Sequence, residues 1–231
     1  MTERPQVTVV MAVRNASRYL REALDSVMAQ AYQPAEIILV DGHSTDDTEA
    51  IARSYPRTRF IVQKATGFAD AWNDGIAVAQ TELIAILDSD DRWTPEKLDT
   101  QVALLEAHPD ASAVIGHVKF FMPPGQQRPP GFRLELLDGD HIAHMPGALL
   151  ARRSVFDIVG PFGADWSIAS DIDWFARLKD SGLTVLVVPH VVIHKRVHDT
   201  NLSYTAARTP VIGAEVVKLL RESILRQRQR G

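Results

Sequence analysis

Apolar positions along this chain follow two alternating rhythms. Short unbroken runs, Val7 to Val13, Glu36-Ile37-Ile38-Leu39-Val40-Asp41, Phe60-Ile61-Val62 and Glu82 to Leu87, read as strands buried on both faces. Between them Leu20, Leu24, Val27, Met28 and Ala31 recur at helical spacing. Ser44-Thr45-Asp46-Asp47 caps a second helix through Ala52, and Gly67 opens a third from about Phe68 to Ala79. Strand alternating with helix four times predicts an α/β fold, a doubly wound parallel sheet flanked by helices.

The rest of the chain is less regular. Pro95 to Ala107 predicts an amphipathic helix, Ala111 to Val118 a strand, Gly147 to Ala151 a short strand and Arg153 to Val159 a short helix. Asp171 to Asp180 predicts a longer helix, and Thr184 to Val188 a strand that Pro189 would end. Met122 to Gly131 holds too many Pro and Gly residues for regular structure. A C-terminal amphipathic helix, about Pro210 to Gln229, carries Val211, Ile212, Val216, Leu219, Leu220 and Ile224 on one stripe, with Lys218, Arg221, Arg226, Arg228 and Arg230 elsewhere. Such a stripe packs on its own domain or on a second copy in a homo-oligomer, or lies on an anionic membrane; packing is the favoured reading. The expected organisation is one domain over 1–231, with a nucleotide-binding half (1–91), a substrate-shaping half (92–205) and the terminal helix (206–231).

Composition removes some classes. The net charge of −4 gives no reason to expect a nucleic-acid partner. The absence of cysteine excludes disulfides and thiolate metal sites and fits a reducing compartment. No apolar run is long enough to span a bilayer, and Met1 to Gln6 is too short and polar for a secretory signal. A cytoplasmic protein is expected, either free or peripheral to the inner face of the membrane.

Chemistry gathers at strand ends. The fourth apolar run stops abruptly in Asp88-Ser89-Asp90-Asp91. In open α/β sheets the carboxyl ends of strands bind ligands, and three crowded carboxylates call for a cation or strong donors. Capping of the helix after Pro95, by Asp91 or Thr94, would account for one of them. Asp41 ends a strand in the same way, although alone it reads as a turn residue before Gly42. Asp70 and Asn73 share a helical face after Gly67. Ser170-Asp171-Ile172-Asp173-Trp174-Phe175 offers two acids that face different ways, and Arg196-Val197-His198-Asp199-Thr200-Asn201-Leu202-Ser203 offers a cation, an imidazole and an amide.

In this order, Asp41-Gly-His-Ser-Thr-Asp, Asp88-Ser-Asp90, Gly147-Ala-Leu-Leu, Gly160-Pro-Phe, Asp171-Ile-Asp-Trp and Arg196-x-His198-x-x-Asn-x-Ser, the segments resemble glycosyltransferase family 2 from Val7 to Ser203. These are inverting nucleotide-sugar transferases of GT-A type fold. The resemblance implies a mostly parallel sheet, donor contacts from Val13, Asn15, Asp41, Gly67, Asp70, Asn73, Asp88 and Ser89, and a metal site at Asp90 completed by His198. It implies Asp171 as the catalytic base. Here Gly42 and His43 replace the second Asp and the Gly of the family's Asp-Asp-Gly-Ser-Thr-Asp motif, and Ser170 replaces a Glu.

The residue types fit that chemistry. A sugar leaving a nucleoside diphosphate deposits charge on phosphate oxygens, which a hard cation, Mg²⁺ or Mn²⁺ on carboxylates, stabilises. An attacking hydroxyl must lose a proton, for which Asp171 is the candidate acceptor. The acceptor substrate is unidentified; Phe120 to Leu137, His141, His144 and Met145-Pro146-Gly147 are expected around it. Trp93, Trp166 and Trp174 are candidate sugar-stacking surfaces or core aromatics, and Asp173 a further acceptor contact. Two other readings stand beside this one. A nucleotidyltransferase would want a Gly-rich phosphate loop after the first strand, where Arg14-Asn15-Ala16-Ser17 has no glycine. An inactive nucleotide-sugar-binding partner subunit would rest on the changes at Gly42-His43 and Ser170.

Overall fold

The apolar runs at 7–13, 36–41 and 82–87 become strands buried on both faces, whereas Phe60-Ile61-Val62 lies in a partly exposed strand at the edge of the sheet. The structure, a computed structural model, describes residues 4–164, 166, 169–201, 215 and 218. Its elements in chain order are β1 (Val7–Val13), α1 (Leu20–Met28), β2 (Glu36–Asp41), α2 (Thr48–Arg53), β3 (Thr58–Val62), α3 (Phe68–Val78) and β4 (Leu83–Ile86). Then follow β5 (Arg92–Trp93), α4 (Lys97–Ala107), β6 (Ala113–Phe121), β7 (His141–Ile142), β8 (Leu150–Arg152), α5 (Arg153–Val159), α6 (Ser170–Asp180) and β9 (Val185–Arg196). The expected C-terminal helix lies outside the described residues apart from Glu215 and Lys218.

Among the described residues the strands form one sheet in the order β3-β2-β1-β4-β8-β6-β9-β5, with β7 on β6. β1 to β4 pair in parallel, β8 runs antiparallel to both β4 and β6, and β6 and β9 are parallel again. Alternation along β1 sorts the core into two layers. Val7, Val9, Met11 and Val13 face a cluster with Leu20, Leu24, Leu98 and Val102, while Val10 faces one with Trp72, Phe156 and Trp174. Burying strands on both faces is what removes the polar side of the pattern. Gly75 lets α3 press on β1, since a Cβ there would meet Val10 Cγ1 at 2.4 Å.

Three expectations change. Gly147 does not begin a strand; Pro146–Ala148 is a 3-10 turn and β8 starts at Leu150. α4 begins at Lys97 rather than Pro95, with no side-chain cap, because Arg92 and Trp93 first pair with His194 and Ile193. Pro189 does not end the last strand, which continues to Arg196. It falls where the register slips, Ile115 pairing with Val187 but His117 with Val191, so its missing N–H breaks no regular ladder bond. Gly116 makes room for the slip; a Cβ there would lie 2.5 Å from Val192 Cγ1. The extended β9 delivers residues 194–196 to the carboxyl end of β4.

Candidate active site

Two clusters form at the carboxyl edge. The first closes on itself. The Asp41 carboxylate at the end of β2 accepts from the backbone N–H and the hydroxyl of Ser44. Ser44 Oγ in turn accepts from Asn15 N–H at 2.8 Å, and Asn15 Oδ1 accepts from Thr45 N–H at 2.8 Å. Asp46 accepts from the N–H groups of Ser17 and Thr48, and these bonds outweigh burial and hold its carboxyl down at about 2. Asn15 and His43 take positive φ, 47° and 61°, to make these turns. Val13, buried at the end of β1, pairs with Asp41 and its carbonyl accepts from Gly42 N–H. Hydrogen bonds thereby zip the β1 and β2 loops together.

The second cluster carries unbalanced charge. Oxygens of Asp88, Asp90 and Asp91 lie within 4.8 Å of one another. Ser89 sits half-buried in the turn between them, closed by Asp91 N–H on Asp88 O at 3.2 Å. Asp91 does not cap a helix. It is fully buried, its Oδ2 3.0 Å from Lys195 Nζ and its Oδ1 accepting from Arg196 N–H at 2.8 Å. Lys195 Nζ is also 3.4 Å from Asp88 Oδ2. Burial pushes Asp91 up to about 7 against the pull of Lys195, with Asp90 and Asp88 adding to the rise. Burial likewise raises Asp88. For Lys195 the three carboxylates outweigh burial and hold the ammonium charged.

Asp90 is gripped differently. His198 Nε2 lies 2.9 Å and Asn201 Nδ2 3.1 Å from Asp90 Oδ2; the bond with His198 and the charge of Lys195 bring Asp90 below the usual carboxylate range despite burial. His198 Nδ1 lies 2.9 Å from Thr200 Oγ1. Arg196 supports the group from behind: its Nε donates to Asp90 O at 2.9 Å, its Nη2 to Glu22 at 2.8 Å, and its guanidinium lies 4.3 Å over Tyr19, which packs on His198.

A divalent ion fits these donors. Carboxylate oxygen and imidazole nitrogen are donors such an ion takes, and Asp90 Oδ2 and His198 Nε2, hydrogen-bonded at 2.9 Å, are the pair that would turn to it. Thr200 could accept from Nδ1–H once Nε2 turned to a metal, the partner such a histidine needs. Asp91, saturated by Lys195 and Arg196, is the anchor of the lysine rather than a ligand.

Asp171 heads α6, its Oδ1 accepting from Ile172 N–H at 2.8 Å. Burial and the charge of Asp88 push its carboxyl up to about 6, against Ile172 N–H and Lys195. It therefore shares the field of the acidic cluster. Ser170 beside it is fully buried, its hydroxyl without a partner among the described residues.

Several expected residues are engaged elsewhere. Trp93 and Trp174 offer no face to a sugar: Trp93 is buried and donates to Gly147 O at 2.8 Å, and Trp174 is stacked on Phe162 at 5.0 Å and donates to Gly160 O. Trp166 is buried with Lys218 Nζ 4.3 Å over its ring. Asp173 is a buried brace, 2.8 Å from Arg177 Nε, with Arg177 holding the carbonyls of Val159 and Pro161. Gly147 is a packing glycine; a Cβ would meet Ile193 Cδ1 at 2.4 Å. Asn73 is spent on Phe162, accepting from its N–H at 2.9 Å and donating to its O at 2.8 Å. Gly67 begins α3 at φ 113°, and Asp70 stands half-buried in the first turn. The residue that sequence reasoning missed is Lys195. Its signal was Val191-Val192-Ile193 after Pro189, a second apolar run ending in charge.

The mostly parallel sheet carries an Asp-x-Asp group just past the end of its fourth strand, the arrangement of a GT-A type fold. The model of Glycosyl transferase family 2 matches residues 8–163. An uncharacterized glycosyltransferase of Rickettsia typhi is 30% identical over 222 residues, covering 89% of this chain and 68% of that protein. Putative glycosyltransferase EpsE of Bacillus subtilis is 37% identical over 114 residues, 47% of this chain and 41% of that one. Among solved structures, S. aureus TarS 1-349 in complex with UDP-GlcNAc matches with a TM-score of 0.75 at 21% identity, over 95% of this chain and 66% of that one. The same fragment in complex with UDP matches at 0.66 and 19%, over 83% and 60%. The chain belongs to glycosyl transferase family 2, a membership that supports glycosyl transfer. It spans 68% of the Rickettsia relative and less than two thirds of the TarS fragment. Among the described residues no helix is long and apolar enough to cross a membrane.

Proposed function

We propose that this chain is an inverting, metal-dependent glycosyltransferase that moves a sugar from a nucleoside diphosphate to a hydroxyl acceptor. The observation that carries the reading is the meeting of Asp88, Asp90 and His198 in one acidic cluster whose field reaches Asp171. Asp90 and His198 would hold a divalent cation, Mg²⁺ or Mn²⁺, whose charge stabilises the negative charge developing on the departing diphosphate. Asp88 is directed to the donor ribose, and Asp41, Asn15, Val13, Gly67, Asp70 and Ser89 form the remaining donor side; Asn73 acts only by holding Phe162. Asp171 takes the proton of the acceptor hydroxyl as that oxygen bonds to C1 of the sugar. The bond from C1 to the phosphate oxygen breaks on the opposite face, and the diphosphate leaves with its electron pair, inverting the anomeric centre. A uracil nucleotide is the first donor to test, because TarS binds UDP and UDP-GlcNAc.

Calorimetry of UDP with and without Mn²⁺, followed by donor hydrolysis, tests the reading. Binding is expected only with the metal, and Asp171→Asn should keep that binding while losing about 10²–10⁴-fold in transfer or hydrolysis. Undiminished turnover by that variant would refute the assignment of the base.

A further inference from the structure

The acidic cluster holds a cation of its own. Three acidic side chains meet a single ammonium, an excess of acid that one divalent ion would offset. Lys195 has three N–H donors, and Asp91 at 3.0 Å and Asp88 at 3.4 Å take two of them. Its side chain keeps 17% of its surface exposed, whereas that of Asp91 behind it keeps none, so Lys195 stands on the open side of the cluster. The hydrogen bond from Lys195 to Asp91, with Asp91 also tied to Arg196 N–H, fixes that ammonium where no long flexible lysine would stay unaided. The residue follows directly from β9 pairing with β5, since His194 is opposite Arg92.

We propose that Lys195 is a fixed second cation of the site, which restricts the acidic cluster to one divalent ion and donates its remaining N–H to the departing diphosphate. The proposal rests on the metal-and-diphosphate reading above and assigns that chemistry a residue the family motifs did not mark. It separates two contributions of the same side chain. As a charge, Lys195 opposes binding of the metal alone. As a donor, it favours binding of the metal-bound diphosphate.

These contributions have opposite signs, and the test reads both on the full chain without activity. Mn²⁺ alone is titrated by electron paramagnetic resonance of the free ion, and UDP by calorimetry at saturating Mn²⁺. Lys195→Met should bind Mn²⁺ about tenfold more tightly and UDP about tenfold more weakly. Lys195→Arg should keep both values near those of the parent. The double variant Lys195→Met with Asp91→Asn restores the original net charge and removes the buried unpaired acid. It should return Mn²⁺ affinity to the parental value while UDP affinity stays low, and it carries the test if the single variant does not fold. If Mn²⁺ and UDP affinities fall together, or neither moves, Lys195 is only a structural prop and the proposal is overturned. Recovery of UDP affinity in the double variant would overturn the contact with diphosphate. A parent chain that binds Mn²⁺ but no nucleoside diphosphate would instead defeat the functional reading itself.

Discussion

Two lysines flank the same two-residue strand, and their surroundings are opposite. Lys97, fully buried at the start of α4, donates to Gln101 Oε1 at 2.7 Å and Leu149 O at 3.1 Å and lies 4.2 Å over the ring of Trp93. Its polar partners are neutral, and burial pushes its ammonium well below the ordinary 10.5. Lys195, at the far end of the β5–β9 pair, meets three carboxylates that more than offset its burial. A buried cation is costly unless paired. Lys97 therefore works as a neutral-leaning pillar, joined through Gln101 Nε2 to Ala148 O at 2.9 Å, beneath the Pro146–Ala148 turn. Lys195 holds its charge at a place where charge has work to do in the proposed reaction. Burial alone does not separate structural from functional lysines; the company does.

The contrast can be broken most sharply by truncating each lysine. Lys195→Met should lower transfer by about a hundredfold through loss of a charged phosphate contact, whereas Lys97→Met should leave the rate per folded molecule within about threefold; equal losses, measured as initial rates, would erase the distinction. A second difference lies in pH. Asp171 must be ionised to accept a proton, so the rate should fall about tenfold per unit below about pH 6. Because Lys195 lowers the Asp171 value, the midpoint of that acid limb should move upward in Lys195→Met and stay in place in Lys97→Met. The smallest effect is on stability. With its folded-state value depressed, Lys97 binds fewer protons folded than unfolded, so stability rises with pH between that depressed value and 10.5. The slope, at most about 1.4 kcal/mol per pH unit, should be visible in urea unfolding of the parent and absent in Lys97→Met.

The β1 to β4 half was legible because β1, β2 and β4 are buried on both faces and the strands are separated by helices with clear periodicity, leaving few alternative arrangements. Asp88, Asp90, His198 and Asp171 could be named as candidates from residue type and order, and the hydrogen bond that brings His198 to Asp90 could not. The remainder failed for physical reasons that residue type does not carry. Whether Trp93 or Trp174 is core or surface depends on partners far along the chain, Gly147 and Phe162. Pro189 read as a strand end because its tolerance comes from a register slip against β6, which only Gly116 permits. Asp91 read as a helix cap because Arg92 and Trp93 were not visible as a strand. Each of these errors hid the same thing, the approach of β9.

That approach also fixes when the site can come into being. Residues 88–91 and 194–201 are more than a hundred positions apart, and the β5–β9 and β6–β9 pairings bring them within hydrogen-bond reach. During synthesis the zipped loops of β1 and β2 can assemble early, from contacts close in sequence. The grip around Asp90 must wait for the last strand, so a nascent or partly unfolded chain holds the joined β1 and β2 loops without the side chains that fix Asp90. Loss of the β9 pairing alone would switch off the chemistry while most of the sheet stayed intact.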